Sequence, residues 1–229
     1  MEDELAIDHE TRIRREAHRQ VTDRAALHAI LDEALVAHVG VVRDGRPLVL
    51  PFACARDGDS LLLHGSTGSG LLRIGAGDAV CVTVTHLDGL VLARTTFDSS
   101  MRYRSAVVHG TAAEVTGPEK EGALTVLTEH LFPGRSAEVR ASTAKELAAT
   151  LVLRVPLDRA SVKVAAGPPE VDPDDTEPRS VWAGIVPLAV VAEDPVASPD
   201  VPPGVEVPAS VLAVRERARA RSRGTGPTR

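Results

Sequence analysis

Apolar and polar positions first settle into a regular period at Thr22. Leu27, Ile30, Leu31, Ala34 and Leu35 recur at helical spacing behind the capping candidates Thr22 and Asp23, which predicts a short amphipathic helix. The run Ala37-His38-Val39-Gly40-Val41-Val42 is predicted as a strand, and Arg43-Asp44-Gly45-Arg46 supplies an Asp-Gly turn between two apolar runs, a hairpin signal. The return strand covers Pro47 to Ala55. A second turn at Arg56-Asp57-Gly58-Asp59 leads into Ser60-Leu61-Leu62-Leu63-His64, the third strand of a meander.

After the glycine-rich stretch Gly65 to Gly70, a brief helix is predicted at Leu71 to Ile74. Strands follow at Ala79 to Thr85, Leu90 to Arg94 and Arg104 to Val115. Pro118 opens a helix with Leu124, Leu127 and Leu131 as its buried stripe, and Pro133-Gly134 ends it. Ser142 to Glu146 is a second helix start, and Leu151 to Val155 and Ser161 to Ala165 complete the strands. Seven or so strands at hairpin spacing predict a mainly β fold with flanking helices. A closed or nearly closed antiparallel barrel fits best, because closure removes exposed edges.

The chain divides into a charged lead-in (1–20), a barrel domain (21–190) and a Pro- and Arg-rich tail (191–229). From Gly167 to Ser180 an acidic, proline-rich connector cannot join a sheet. Val181 to Leu188 is a last ordered island. Six arginines between Arg215 and Arg229 predict a solvated, partly disordered tail.

Composition narrows the function. The net charge of −6 disfavours nucleic acid and anionic membranes as partners. One Trp, one Tyr and three Phe in 229 residues leave the core to aliphatic side chains and provide no stacking platform for single strands. Cys54 and Cys81 stand alone, so neither a zinc site nor a disulfide framework is signalled, and a cytoplasmic protein with reduced thiols is expected. No apolar run approaches the roughly 20 residues that span a bilayer.

Two local clusters carry candidate chemistry. In His64-Gly65-Ser66-Thr67-Gly68-Ser69-Gly70, small residues admit close backbone approach and hydroxyls stand ready. With a helix start behind them, backbone amides would favour a phosphate, although a run of Gly and Ser on its own reads as an ordinary flexible loop. In Ser99-Ser100-Met101-Arg102-Tyr103-Arg104-Ser105, Arg104 could pair a phosphate bidentately or belong to a polar strand start. His64 and His109 each stand beside a glycine, as structural residues or as ligands. Glu33, Asp88 and Asp98 are acids that nothing joins into a site. No metal-ligand spacing or paired-carboxylate pattern stands out, so a bound cofactor is expected to carry any chemistry.

His64 to Arg73, Cys81 to Arg94 and Ser100 to Ser105, in this order and separation, resemble the pyridoxamine 5′-phosphate oxidase-like flavin-binding proteins, in the branch related to the nitroimidazole-resistance proteins. The resemblance covers residues 10 to 190. It implies an antiparallel split-barrel homodimer with FMN in a cleft between subunits and an oxidoreductase acting on a small organic substrate. Flavin or haem carriage without turnover, haem being held by His64 or His109, and a deazaflavin-dependent reductase are the alternatives. The resemblance further implies a ring system along Val49, Leu50, Pro51 and Phe52. It sets the phosphate near Gly65, Ser66, Thr67, Ser69, Gly70, Leu71 and Arg73, with Ser100, Met101, Tyr103, Arg104 and Ser105 bordering the cofactor and His64 at the active site. Trp182, or else the strand Ser161-Val162-Lys163, corresponds to the ending that reaches the cofactor. The Arg-Lys pair that follows the phosphate-turn serine in the oxidases is here Gly70-Leu71, which puts the charge on Arg73, Arg104 or the amides.

Overall fold

A computed structural model of the chain describes residues 3–68, 77–169 and 178–224, the last four by backbone alone. The first periodic segment is helix α1, Arg24–Glu33. Asp23 caps it by accepting the Ala25 amide, and Leu27, Ile30 and Leu31 are buried. The chain leaves the helix at Ala34, so Leu35 continues the period in sequence yet is 45% exposed.

Strands β2, Val36–Arg43, and β3, Arg46–Asp57, pair from Val36↔Ala53 to Arg43↔Arg46. Asp44 and Gly45 turn the chain at φ of 49° and 73°, the consecutive left-handed pair that suits an Asp-Gly hairpin. β3 then changes partner: up to Ala53 it pairs with β2, and from Cys54 it pairs with β4, Ser60–Ser66. One strand therefore serves two sheets.

Where the pattern predicts strands at 79–85 and 90–94, the structure has a single β5, Ala79–Leu92. Asp88 is extruded between Leu87 and Gly89, and this bulge lets the ladder with β6, Ser100–Thr111, continue past the polar interruption. Short β1 (Gln20–Val21) and β7 (Ala113–Glu114) join β8 (Thr150–Pro156), β9 (Ala160–Ala165) and β10 (Gly184–Pro187). Ten antiparallel strands among the described residues run β1-β9-β6-β5-β2-β3-β4-β8-β7, with β10 added to β5. β6 and β8 meet by close packing rather than by a ladder. A Cβ on Gly110 would stand 3.1 Å from Cγ1 of Val155, so glycine permits the approach. The result is the antiparallel split barrel that the resemblance implies.

Leu31, Val39, Leu61, Leu63, Val82, Val84, Val108 and Val162 fill the barrel. A second cluster, Ala55, Leu62 and Val152 under Ala123 and Leu127, seats helix α2, Gly117–Leu131, on the outside. Each fully buried Leu contributes about 1.5–3 kcal/mol. Helix α3, Ala144–Ala149, is capped by Thr143 instead of Ser142, and Glu146 closes a reciprocal box.

Both ends of the chain pack more closely than their composition suggests. Leu5 and Thr11 are buried, the Leu5 amide donates to the Thr22 carbonyl, and β1 pairs with β9. The stretch read as a disordered tail holds helix α4, Ala209–Gly224. Ala and Arg are strong helix formers even without an apolar stripe. Glu138 accepts both the amide and the hydroxyl of Ser210, and Arg217 donates to the Asp32 and His130 carbonyls near the ends of α1 and α2.

Candidate functional site

Alternation along β2 buries Ala37, Val39 and Val41 and turns Val36, His38, Gly40 and Val42 outward. Val49, Pro51 and Ala53 share that outer face through the β2–β3 register. Val36 is 49% and Val49 58% exposed, so apolar side chains are concentrated at the surface here. Helix α2 shields the same face over Ala55, Leu62 and Val152, then ends at Leu131. Beyond its end the apolar surface continues as an open shelf of Val36, Val49, Pro51 and Ala53.

His64 stands where the cover stops. It lies opposite Val152 on β8, and continuing the Cys54↔Leu63 register by one pair sets it beside Ala53. Its imidazole is part-buried and has no hydrogen-bond partner. Burial lowers its pKa from the ordinary 6.5, which keeps the ring neutral at pH 7.

The residues expected to line a cofactor are divided by the fold. Val49 and Pro51 lie on the shelf, whereas Phe52 points the other way and packs on the barrel core, with Leu50 on its side of the strand. Gly65 and Ser66 pair with Leu151 and Thr150. The Thr67 amide donates to the Ala149 carbonyl at 2.9 Å and the Gly68 amide to Oγ of Ser66 at 3.1 Å, so these two amides are already engaged within the protein. Ser69, Gly70, Leu71 and Arg73, with the brief helix predicted at Leu71 to Ile74, lie outside the described residues.

On β6, Ser100 is opposite Val91, exposed Met101 opposite Leu90 and Tyr103 opposite Leu87, while Ser105 sits between Thr85 and Lys163. β4 and β6 are four strands apart, about 19 Å along the sheet at ~4.8 Å per step. Round the other side of the barrel the two strands are linked through β8, which pairs with β4 and packs against β6.

Arg104 turns inward, and its anionic partners are protein carboxylates. Nε and Nη2 donate to the two oxygens of Asp88 at 2.9 and 3.0 Å, and Nη1 donates to Glu33 at 2.9 Å. Three of its five N–H groups are thereby engaged, and its pKa is raised, first by the hydrogen bonds it donates to Asp88. The trio carries one net negative charge, which corrects the expectation that Arg104 lends positive charge to a phosphate. Glu33 and Asp88, acids that the sequence joins to nothing, find their site here.

Arg94 and Arg102, on the β5–β6 hairpin, are two guanidinium groups with no hydrogen-bond partner among the described residues. Each has a buried Nε that no acceptor reaches. Arg102 was legible as the second guanidinium of the Ser99–Ser105 cluster, but Arg94 was not, and the burial and missing partner of both appear only in the fold. Trp182 is 64% exposed and folds its indole against Gly184, where a Cβ would stand 2.8 Å from the ring. Gly184 pairs with Leu92, so Trp182 belongs beside the same hairpin and away from the shelf. Lys163 of β9, the alternative ending, adjoins Ser105.

An open groove of about 640 Å³ adjoins the shelf at Val49 and runs between the β2–β3 hairpin, β5 and β6, lined further by Cys81, His109, Asp158, Arg159 and Glu10. His109 and Cys81 are cross-strand partners there, and burial pushes the Cys81 thiol up. Among the described residues no three His, Cys, Asp or Glu side chains converge as a metal site, and no helix is long and apolar enough to cross a membrane.

Residues 23–164 match the model of the pyridoxamine 5′-phosphate oxidase family. The chain is 44% identical to the FAD and haem binding protein from Mycobacterium smegmatis, over 86% of this chain and 97% of that one, with a TM-score of 0.83. It is 32% identical to the flavocytochrome Anf3 from Azotobacter vinelandii, over 91% of this chain and 98% of that one, with a TM-score of 0.86. A protein from Bacteroides thetaiotaomicron, proposed to act in 5-nitroimidazole antibiotic resistance, shares the fold at 24% identity over 63% of this chain and 86% of that one, with a TM-score of 0.53. No curated protein matches this chain.

Proposed function

Because the chain belongs to the pyridoxamine 5′-phosphate oxidase family, we propose that it binds a flavin nucleotide and haem and moves electrons between them and a small organic substrate. The observation that carries this reading is the 44% identity, across nearly the whole of both chains, to a protein described as binding FAD and haem. The flavocytochrome at 32% identity points the same way. Bound flavin would supply hydride or single-electron chemistry, and haem a one-electron centre.

The protein's own groups fit that load. Val36, Val49, Pro51 and Ala53 offer an apolar surface on which a ring system could rest. Arg94 and Arg102 keep unpartnered Nε–H donors for an anionic nucleotide group, the part first expected of Arg104. A second copy of the chain would cover the apolar face that α2 leaves open, and the cofactors would then lie in a cleft between protomers.

Purified protein should be coloured. Heat release followed by chromatography should yield FAD or FMN, and added flavin at 100 times its Kd should stabilise the fold by about 2.7 kcal/mol. Native mass spectrometry should find a dimer. Reduction by a nicotinamide nucleotide, with reoxidation by a small acceptor, separates an enzyme from a carrier. Colourless protein whose Tm ignores FMN and FAD overturns the proposal.

A further inference from the structure

Resting on the reading that a flavin ring lies on the shelf, we propose that the groove adjoining the shelf at Val49 is the substrate site, and that it takes an uncharged aromatic molecule hydrogen-bonded to His109. The ladders set Val49, Gly40, Cys81 and His109 in one row across β3, β2, β5 and β6, each directly opposite the next and so on one face of the sheet. Gly40 carries no side chain, so the floor dips between Val49 and Cys81. A second row two residues along holds Pro47, Val42 and Ala79. Three strands and two rows give a mostly apolar floor of about 10 by 7 Å, the footprint of two fused aromatic rings.

The walls decide which charge fits. Among the described residues that line the groove, Arg159 is the one Lys or Arg, and its Nη2 already donates to Asp8 and Glu10 at 3.2 and 2.5 Å. Asp158 adds a carboxylate with no ion pair among the described residues. Arg43 and Arg46 line a neighbouring hollow with Asp44, outside this groove. A carboxylate or phosphate on the ligand would therefore lose water here without meeting a free cation. Cys81, its thiol pushed up by burial, stays uncharged at pH 7. His109 ends the row part-buried, and its ring has no hydrogen-bond partner among the described residues, so it can bond a carbonyl or amide at the rim of the floor.

The test is calorimetric titration of the flavin-loaded full chain with 2-naphthamide and 2-naphthoate, redox-inert molecules of one shape that differ in charge. The amide should bind about tenfold or more tighter than the carboxylate and perturb the flavin absorption bands. At Gly40 a Cβ stands in ordinary contact, 3.7 Å from Val49 and 4.0 Å from Cys81, so Gly40→Val fills the floor without forcing the strands apart. It should weaken amide binding by about tenfold or more. His109→Phe should weaken it about threefold to tenfold, the loss of one hydrogen bond. Asp158→Lys should bring the carboxylate to within about threefold of the amide. Tm and flavin content are measured on every variant; should Gly40→Val fold poorly, the other two carry the test. No amide binding by the loaded chain, equal binding of the two probes, or variants that all bind them as wild type does overturns the substrate site and leaves flavin binding standing. Amide that binds only once flavin is removed makes the groove the cofactor's own seat, which also overturns it. A chain that takes up no flavin overturns the flavin reading, and this inference with it, whatever the amide does.

Discussion

Arg104→Met tests whether the inward trio is a structural clamp. The guanidinium is 24% exposed, Asp88 17% and Glu33 34%, which places the cluster between a surface pair worth about 0–1 kcal/mol and a buried pair whose breakage costs about 3–5. Asp88 loses two charge-assisted hydrogen bonds and Glu33 one, and the two carboxylates then face each other with no cation between them. Solvent reaches all three groups in part, so a loss of about 2–3 kcal/mol is expected, or about 4–12 °C in Tm for a chain of this size. Glu33→Gln removes only the more exposed arm and should cost about 0.5–1 kcal/mol. Urea unfolding is the assay, with an unchanged slope as the sign that only stability moved. A midpoint for Arg104→Met equal to that of wild type, together with a large loss of flavin affinity, would refute the clamp and return Arg104 to the cofactor.

Leu62→Ala, in the fully buried seat of α2, should cost about 2–5 kcal/mol by thermal melt, and a loss below 1 kcal/mol would show that α2 is not seated there. Ser210→Ala removes the hydroxyl held by Glu138, so limited trypsin should cut within Arg215 to Arg219 faster than in wild type. Asp8, held at about 2 chiefly by the amides of Thr11 and Glu10, stays ionised in the folded chain when the unfolded chain would protonate near 3.8. The anchoring of the N-terminal segment is therefore complete above 3.8 and lost as pH falls through about 2, readable as hydrogen exchange at the Thr11 amide. For His64 the folded pKa lies below 6.5, so its burial favours the fold more at higher pH. Removing the imidazole by His64→Ala should flatten the fall in stability below 6.5.

Local signals in the sequence carried much of the fold. Asp44-Gly45 fixed a hairpin because its two left-handed residues are a purely local requirement, and the stripe through Leu27 and Leu31 located α1 for the same reason. The bulge at Asp88 was hidden because a polar residue followed by glycine reads like a turn, and only the partner strand shows that the ladder goes on. α4 was hidden because it docks through Ser210 and Arg217 and has no apolar stripe to announce it. His64 was legible beside its glycine, but its shelf was not, since Val36 and Ala53 meet only after β2 and β3 pair. The trio of Glu33, Asp88 and Arg104 spans up to 71 residues of sequence, beyond any spacing rule.

The shared edge of β5 has a consequence for how the protein is made. β2 pairs with one stretch of that edge at residues 81–83, but the stretch at 89–92 waits for β10 at 184–187. At ribosomal speeds of about 5–20 residues per second, the roughly 95 residues between Leu92 and Pro187 take about 5–20 s to emerge. For that interval a strand bearing Leu90, Val91 and Leu92 presents bare amides and carbonyls to any passing chain. The nascent barrel is most open to mispairing there, and shortening the chain before Gly184 should show itself first as poor yield and aggregation.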